Sequence, residues 1–342
     1  MNKNLKTLLQ LTIGVLIAAA LMYITFKDRS IGDLANDMKA ADPFWMFMAA
    51  LTLLAVYIFR ALRWKLMLDS SDYPANSFNT IISMLICYLV NSVTPRIGEV
   101  ARCSVLLKTD KIPIPASLGT IFTERIIDAL VLFGGLGIIF LTEFQRLRDL
   151  FAVMFSNILG GMENSLWLLT GMAVVAIGGI IGLFFFLRSE RARQGIAGKF
   201  HDALSTMLKA SQSIFRLQKP WLFFVHTALI WLALVAMNYF FLKSLPDTQD
   251  FGVYVAILIL FIGGLGWALP VPGGIGTTHY IIVQLFLAFN LSETAGQNFG
   301  LLSNGATFIF TIFFGLIAWL LFLYIVYQKE NQKKNPDPAI NS

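Results

Sequence analysis

Three formal charges sit within five residues of an otherwise apolar stretch, at Glu124, Arg125 and Asp128. On a helix turning 100° per residue, with Glu124 at zero, Asp128 falls at about 40° and Arg125 at about 100°. Ser117 and Thr120 fall near 20° and −40°, so one face is polar and the rest apolar. A lone charge at a span centre costs roughly 2.5–3.5 kcal/mol on insertion scales. Three would cost on the order of 8–10 kcal/mol if additive, so they must face protein or water and be paired. Arg125 and Asp128, three residues apart, are expected to pair, leaving Glu124 to take a second cation from Arg96 or Arg102. An ion-pair network with a purely structural role would produce the same pattern.

A second group is Thr94-Pro95-Arg96-Ile97-Gly98-Glu99-Val100-Ala101-Arg102. Threonine suits an N-cap and proline the first helical position, so a helix is expected to begin here. Its free N–H groups favour an anion, and Arg96 adds a full charge. Arg96, Glu99 and Arg102 recur every three residues, as they would also on an interfacial helix that binds nothing. The third group is Pro270-Val271-Pro272-Gly273-Gly274-Ile275-Gly276-Thr277-Thr278-His279. Its glycines permit a backbone to approach a ligand or a neighbouring helix closely. No Gly-Lys-Ser/Thr follows, so it is not a nucleotide loop. Arg60-Ala61-Leu62-Arg63-Trp64-Lys65 reads as an interface anchor closing a span.

The elements that must position these groups are membrane helices. Of 342 residues, 57% are apolar and 13% charged, with mean hydropathy +0.70. A soluble domain carries about 25% charged residues, so this composition cannot coat a soluble globule. It excludes a nucleic-acid binder, a disordered chain and a disulfide-stapled secreted domain. Cys87 and Cys103 read as small apolar residues, and the three histidines show no metal-ligand spacing. No HExxH, GxSxG or soluble catalytic segment is present, and no cofactor or metal site is expected.

A span needs about 20 mostly apolar residues. Six stretches qualify, at 6–26, 43–67, 115–141, 165–187, 220–242 and 303–327. The first is too long for a signal-peptide core and is expected to be retained. Two stretches are broken: 78–94, stopped by Pro95, and 251–290, interrupted by the proline-glycine run. If the six cross and the broken pair dip in and return, about 19 of the 26 lysines and arginines share the side of both termini. The other side then holds only Lys27, Arg29, Lys39, Arg146, Arg148 and Lys243, which makes both termini cytoplasmic. The two broken segments enter from opposite sides, the arrangement that points to a transport site at the midplane. Two kinked spans with surface turns are the alternative. The fold expected is an all-α integral membrane protein, with residues 1–327 as one transmembrane domain and 328–342 as a polar, disordered cytoplasmic tail. Residues 199–216 read as an amphipathic helix for an anionic leaflet or as a solvated connector.

These motifs, in this order, resemble the transmembrane domain of bacterial lysylphosphatidylglycerol synthase, the flippase half of the multiple peptide resistance factor. The resemblance is carried by Arg60–Lys65, Asn91, Thr94–Glu99, Arg102, Glu124-Arg125, Asp128 and Pro272–Gly276, and covers roughly residues 5–327. It implies a translocase that moves a polar-headgroup lipid between leaflets of the bacterial cytoplasmic membrane. The site is then expected at Thr94, Arg96, Glu99, Arg102, Glu124, Arg125, Asp128, Gly273, Gly274, Gly276, Thr277 and His279. Two departures qualify it. No counterpart of the synthase's aminoacyltransferase domain is present, so lipid aminoacylation is not implied. The glycine motif, commonly followed by Arg-Glu in the family, is followed here by Thr277, Thr278 and His279, which leaves the substrate open. The partners expected are a membrane phospholipid and the anionic cytoplasmic leaflet, with no nucleic acid; a homo-oligomer stays open. An intramembrane enzyme modifying lipid headgroups and an accessory membrane subunit are the competing function classes.

Overall fold

The computed structural model describes residues 21–27, 29–94, 97–144, 146, 205, 206, 209, 212–268 and 274–334. Residues 21–26 are helical. They are followed by α1 (Ile31–Lys39), α2 (Pro43–Asp69), α3 (Ser77–Val93), α4 (Gly98–Thr109) and α5 (Ile114–Thr142). After a 3-10 turn at Gln212–Arg216 come α6 (Pro220–Ser244) and α7 (Val253–Leu258). A π-helical turn (Ile259–Gly263) joins α7 to α8 (Gly264–Ala268), and α9 (Thr277–Ala288) and α10 (Glu293–Lys334) complete the chain. Among the described residues every element is helical and no strand occurs.

Local chemistry sets the helix starts. Asp42 caps α2, its carboxylate accepting the Phe44 N–H at 2.8 Å, with Pro43 at the first helical position. The Asn76 side chain accepts the N–H groups of Phe78 and Asn79 at 2.8 and 3.3 Å to open α3. Four helices, α2, α5, α6 and α10, are long and apolar enough to cross a membrane. They coincide with four of the six expected stretches. Of the other two, 6–26 is described only over 21–26, and 165–187 lies outside the described residues. So does most of 199–216, of which Gln212–Arg216 is a 3-10 turn. The helix α10 has 42 residues and continues through Lys334, seven residues into the stretch read as a polar tail.

The two broken segments are short apolar helices: the first is α3, which turns at Thr94 into the polar α4, and the second is α7–α8 followed by α9; α3 and α9 both pack on α10. Gly296 on α10 lies against Val283 and Phe286 of α9, and Gly300 against His279. Further along, Gly315 lies against Leu89 of α3, while Ala318 and Phe322 share a buried cluster with Ile82 and Ile86. Each hairpin helix therefore runs antiparallel to α10 on α3 and α9, occupying opposite halves of it. Their tips, at Thr94 and Gly276, approach its middle from the two ends.

One expectation is corrected at the first tip. Thr94 is the C-cap of α3, its N–H donating to the Val90 carbonyl at 2.8 Å, and α4 begins only at Gly98 behind Ile97. The Asn91 side chain accepts the Gly98 N–H at 2.8 Å and takes the capping role assigned to Thr94. A Cβ at Gly98 would meet the Cys87 carbonyl oxygen at 2.1 Å and the Asn91 side chain at 2.6 Å. Gly98→Ala should therefore cost on the order of 1–3 kcal/mol, the range for overpacking a tight contact. Thermal unfolding in detergent checks this; a midpoint equal to that of the unsubstituted protein would sink it.

Candidate functional site

The bundle buries a cluster of arginines around two carboxylates. Glu124 and Asp128 project from the same face of α5, one turn apart. Opposite them, α2 presents Arg60 and Arg63, and α4 presents Arg102. Arg63, Arg102 and Glu124 have no exposed side-chain surface, and Arg60 and Asp128 keep 13% each.

Glu124 is the hub. One of its oxygens accepts from both terminal nitrogens of Arg102 at 3.2 Å. The other faces Arg63 at 3.4 Å, Arg125 at 3.6 Å and Arg60 at 4.0 Å. Asp128 accepts from Arg60 at 2.9 Å and lies 2.8 Å from Arg63, so Arg63 bridges the two acids. The aromatic and hydroxyl groups around them fix the guanidinium planes. Arg102 stacks over the Trp64 ring at 4.5 Å, and the Trp64 indole N–H donates to the Thr120 hydroxyl at 2.9 Å. Arg63 lies over Phe223 at 5.7 Å and reaches the Thr227 hydroxyl at 3.4 Å, both on α6. Cation–π contacts of this kind strengthen as the cation loses water.

The depth of the cluster follows from helix geometry. Glu124 lies ten residues beyond Ile114 and Arg63 six residues before Asp69, so they sit about 15 Å and about 9 Å inside their helices at 1.5 Å per residue. Four positive charges, at Arg60, Arg63, Arg102 and Arg125, face two negative ones. Glu99 stands one turn from Arg102 on α4 and is reached by Asn91 at 3.4 Å; counting it leaves a surplus of one positive charge. The Nε atoms of Arg63 and Arg102 are buried without a hydrogen-bond partner among the described residues. Two carboxylates thus stand among an excess of guanidinium donors, two of whose Nε atoms have no partner among the described residues. The chemistry suits a phosphate, whose oxygens accept from a planar fork of N–H donors.

Of the expected site residues, the structure brings Arg102, Glu124 and Asp128 together, with Glu99 beside them. Arg102 supplies Glu124 as the sequence suggested. Arg125 does not pair with Asp128: it turns toward Glu124 and leaves 45% of its side chain exposed. Arg60 and Arg63 take Asp128 instead, because α2 packs its Arg60–Arg63 face against α5. The reading of Arg60–Lys65 as an interface anchor is thus corrected for Arg60, Arg63 and Trp64, all drawn into the protein. A signal was available, since both arginines lie within the apolar stretch 43–67, deeper than a side chain at a helix end needs to be.

The glycine motif forms its own unit. Gly274 and Gly276 have φ of 65° and 82°, a conformation that suits residues without a Cβ. The Thr277 hydroxyl meets the carbonyls of Gly266 and Gly274 at 2.9 and 3.0 Å, and His279 Nδ1 accepts the Gly276 N–H at 3.2 Å. These partners hold the second hairpin's turn; they do not join the arginine cluster. Thr94 is half-buried at the first tip. Arg96 and Gly273 lie outside the described residues.

The family model described as "Lysylphosphatidylglycerol synthase TM region" matches residues 11–315. A UPF0104 membrane protein of Methanocaldococcus jannaschii is 24% identical over 338 residues, covering 93% of this chain and 96% of that protein. The glycosyltransferase AglD of Haloferax volcanii is 25% identical over 186 residues, covering 51% of this chain but only 29% of that protein. No solved structure is significantly similar to the chain.

Proposed function

The chain belongs to the lysylphosphatidylglycerol synthase transmembrane-region family of multi-pass integral membrane proteins, and from that premise we propose that it is a lipid translocase. The observation that carries this reading is the buried arginine cluster with its surplus positive charge. A phospholipid's phosphate would take the free donors of Arg63 and Arg102 while its acyl chains stay in the bilayer. A charged headgroup entering hydrocarbon loses its water, and the cluster replaces those lost contacts with fixed donors.

The packing on α10 supports the same reading. The two hairpins are read as re-entrant, dipping from opposite leaflets so that their tips meet near the midplane beside six full spans. The basic-residue distribution favours a cytoplasmic location for both termini and the cytoplasmic half for the arginine cluster, where a headgroup would enter from an anionic leaflet. The membrane is read as a bacterial cytoplasmic membrane, although both relatives reported above are archaeal. With no nucleotide motif in the sequence, exchange is passive or coupled to an ion gradient.

An intramembrane enzyme is the second reading, favoured by the partial likeness to a glycosyltransferase. Against it, both carboxylates are already engaged as ion-pair partners of arginines, Asp128 with Arg60 and Arg63 and Glu124 with Arg102. An accessory subunit would need no buried ion cluster at all.

Reconstitution separates these readings. Purified protein in liposomes carrying fluorescent phospholipids should make inner-leaflet probe available to dithionite far faster than protein-free liposomes. Protection equal to that of protein-free liposomes, for anionic and zwitterionic probes alike and with or without a pH gradient, would refute the translocase.

A further inference from the structure

A second polar network closes the end of the bundle opposite the arginine cluster. Asp42, at the start of α2, lies 21 residues before Arg63, a separation of about 30 Å along the helix. Its N–H donates to the Ser244 carbonyl at the end of α6 at 2.8 Å. At the same level Asn298, wholly buried on α10, donates both amide hydrogens to carboxylates. One goes to Asp37 of α1 at 3.0 Å and the other to Asp247, beyond α6, at 2.8 Å. Arg29 pairs with Asp37 at 2.5 Å, and Gln297 donates to the Thr25 carbonyl at 2.7 Å. The segment 21–41 is thereby strapped across α6 and α10.

Among the described residues of the strap, Thr25 is the one buried side chain. No described side chain of α1 is fully buried, and its apolar seat consists of Met38 and Ala41 at the edge of the main core. The fastening also brings two like charges to one neutral amide, and among the described residues Arg29 is the cation paired with them. Asn298 joins the two acids through its two amide hydrogens. Beneath the strap lies the second hairpin: the Phe26 ring stands edge-on to His279, 5.8 Å between centroids, and His279 lies against Gly300 of α10.

We propose that residues 21–41 form a strap that closes the outer end of the lipid path, with Asn298 as its clasp between Asp37 and Asp247. The proposal rests on the translocase reading for the identity of what passes, but not for the motion itself. Release of the clasp frees α1 from α6 and α10 and uncovers the hairpin tip at Thr277–His279.

Two measurements decide it. The first is the rate at which a membrane-impermeant maleimide labels Ser303→Cys, one turn past Gly300, in a Cys87→Ser/Cys103→Ser background. Asn298→Leu should raise that rate about tenfold or more, the scale expected from losing hydrogen bonds to charged groups. Asp37→Asn, which still offers Asn298 an acceptor, should leave labelling slow. An unchanged rate in Asn298→Leu overturns the strap. The second uses Asp37→Cys/Asn298→Cys in the same background, compared with itself oxidised and reduced. Oxidation should slow phospholipid exchange in liposomes about tenfold or more, reversibly; measurable exchange at the same rate in both states overturns the proposal even if Asn298→Leu fails to fold. If maleimide labelling responds while no lipid crosses in the reduced protein, the strap stands and the translocase reading falls.

Discussion

Glu124→Ala is expected to cost about 3–5 kcal/mol of stability, the range seen when one partner of a buried ion pair is removed. Glu124 alone contacts Arg102, Arg63, Arg125 and Arg60. Its removal leaves four guanidiniums to a single carboxylate, with Arg102 losing its ion-pair partner altogether. Glu124→Gln should fall between, since an amide oxygen still accepts but brings no charge. A second substitution separates a stranded charge from a lost contact. Arg102→Met in the Glu124→Ala background removes the stranded cation and should recover part of the loss, so the two changes should couple strongly in a double-mutant cycle. Thermal unfolding of the detergent-solubilised protein reads all three. Additive effects, or a Glu124→Ala loss under about 1 kcal/mol, would mean that the cluster is not the ionic hub described above.

Arg63→Gln should have the larger effect on transport and a smaller one on folding. After this substitution Asp128 keeps Arg60 at 2.9 Å and Glu124 keeps Arg102 at 3.2 Å, so neither acid is stranded. What falls is the surplus of positive charge and a buried donor with a free Nε. Hydrogen bonds to charged groups are worth about 1.5–3 kcal/mol, so leaflet exchange of phospholipid should slow by roughly ten- to a hundredfold. Arg63→Lys should not restore it fully, because an ammonium cannot bridge two carboxylates and present a planar fork as well. Fluorescent phospholipid exchange in liposomes, with unfolding measured in parallel, checks the separation. Exchange at the original rate in a folded Arg63→Gln protein would remove the phosphate from this site.

The sequence by itself determined the solvent, the element type and the presence of intramembrane charge. Hydropathy and helical periodicity are local properties, so α2, α5, α6 and α10 were legible as apolar runs and α3 and α7–α9 as broken ones. The polar face Ser117–Thr120–Glu124–Asp128 followed from rotation along one helix. Glu124's need for a further cation, from Arg96 or Arg102, followed from the cost of leaving it alone. Only the tertiary structure decided which arginines answered that need. Arg60 and Arg63 come to Asp128 across 65–68 positions of chain because of how α2 is rotated against α5, and no local pattern encodes that rotation. Arg125, adjacent to the hub in sequence, reaches Glu124 at 3.6 Å rather than Asp128 and stays 45% exposed. Thr94 had the right type for an N-cap, but Asn91 one turn earlier reached the Gly98 N–H first. The clasp at Asn298 was least visible. A buried asparagine acquires its meaning from Asp37 and Asp247, brought together from distant parts of the chain by the packing of α1, α6 and α10.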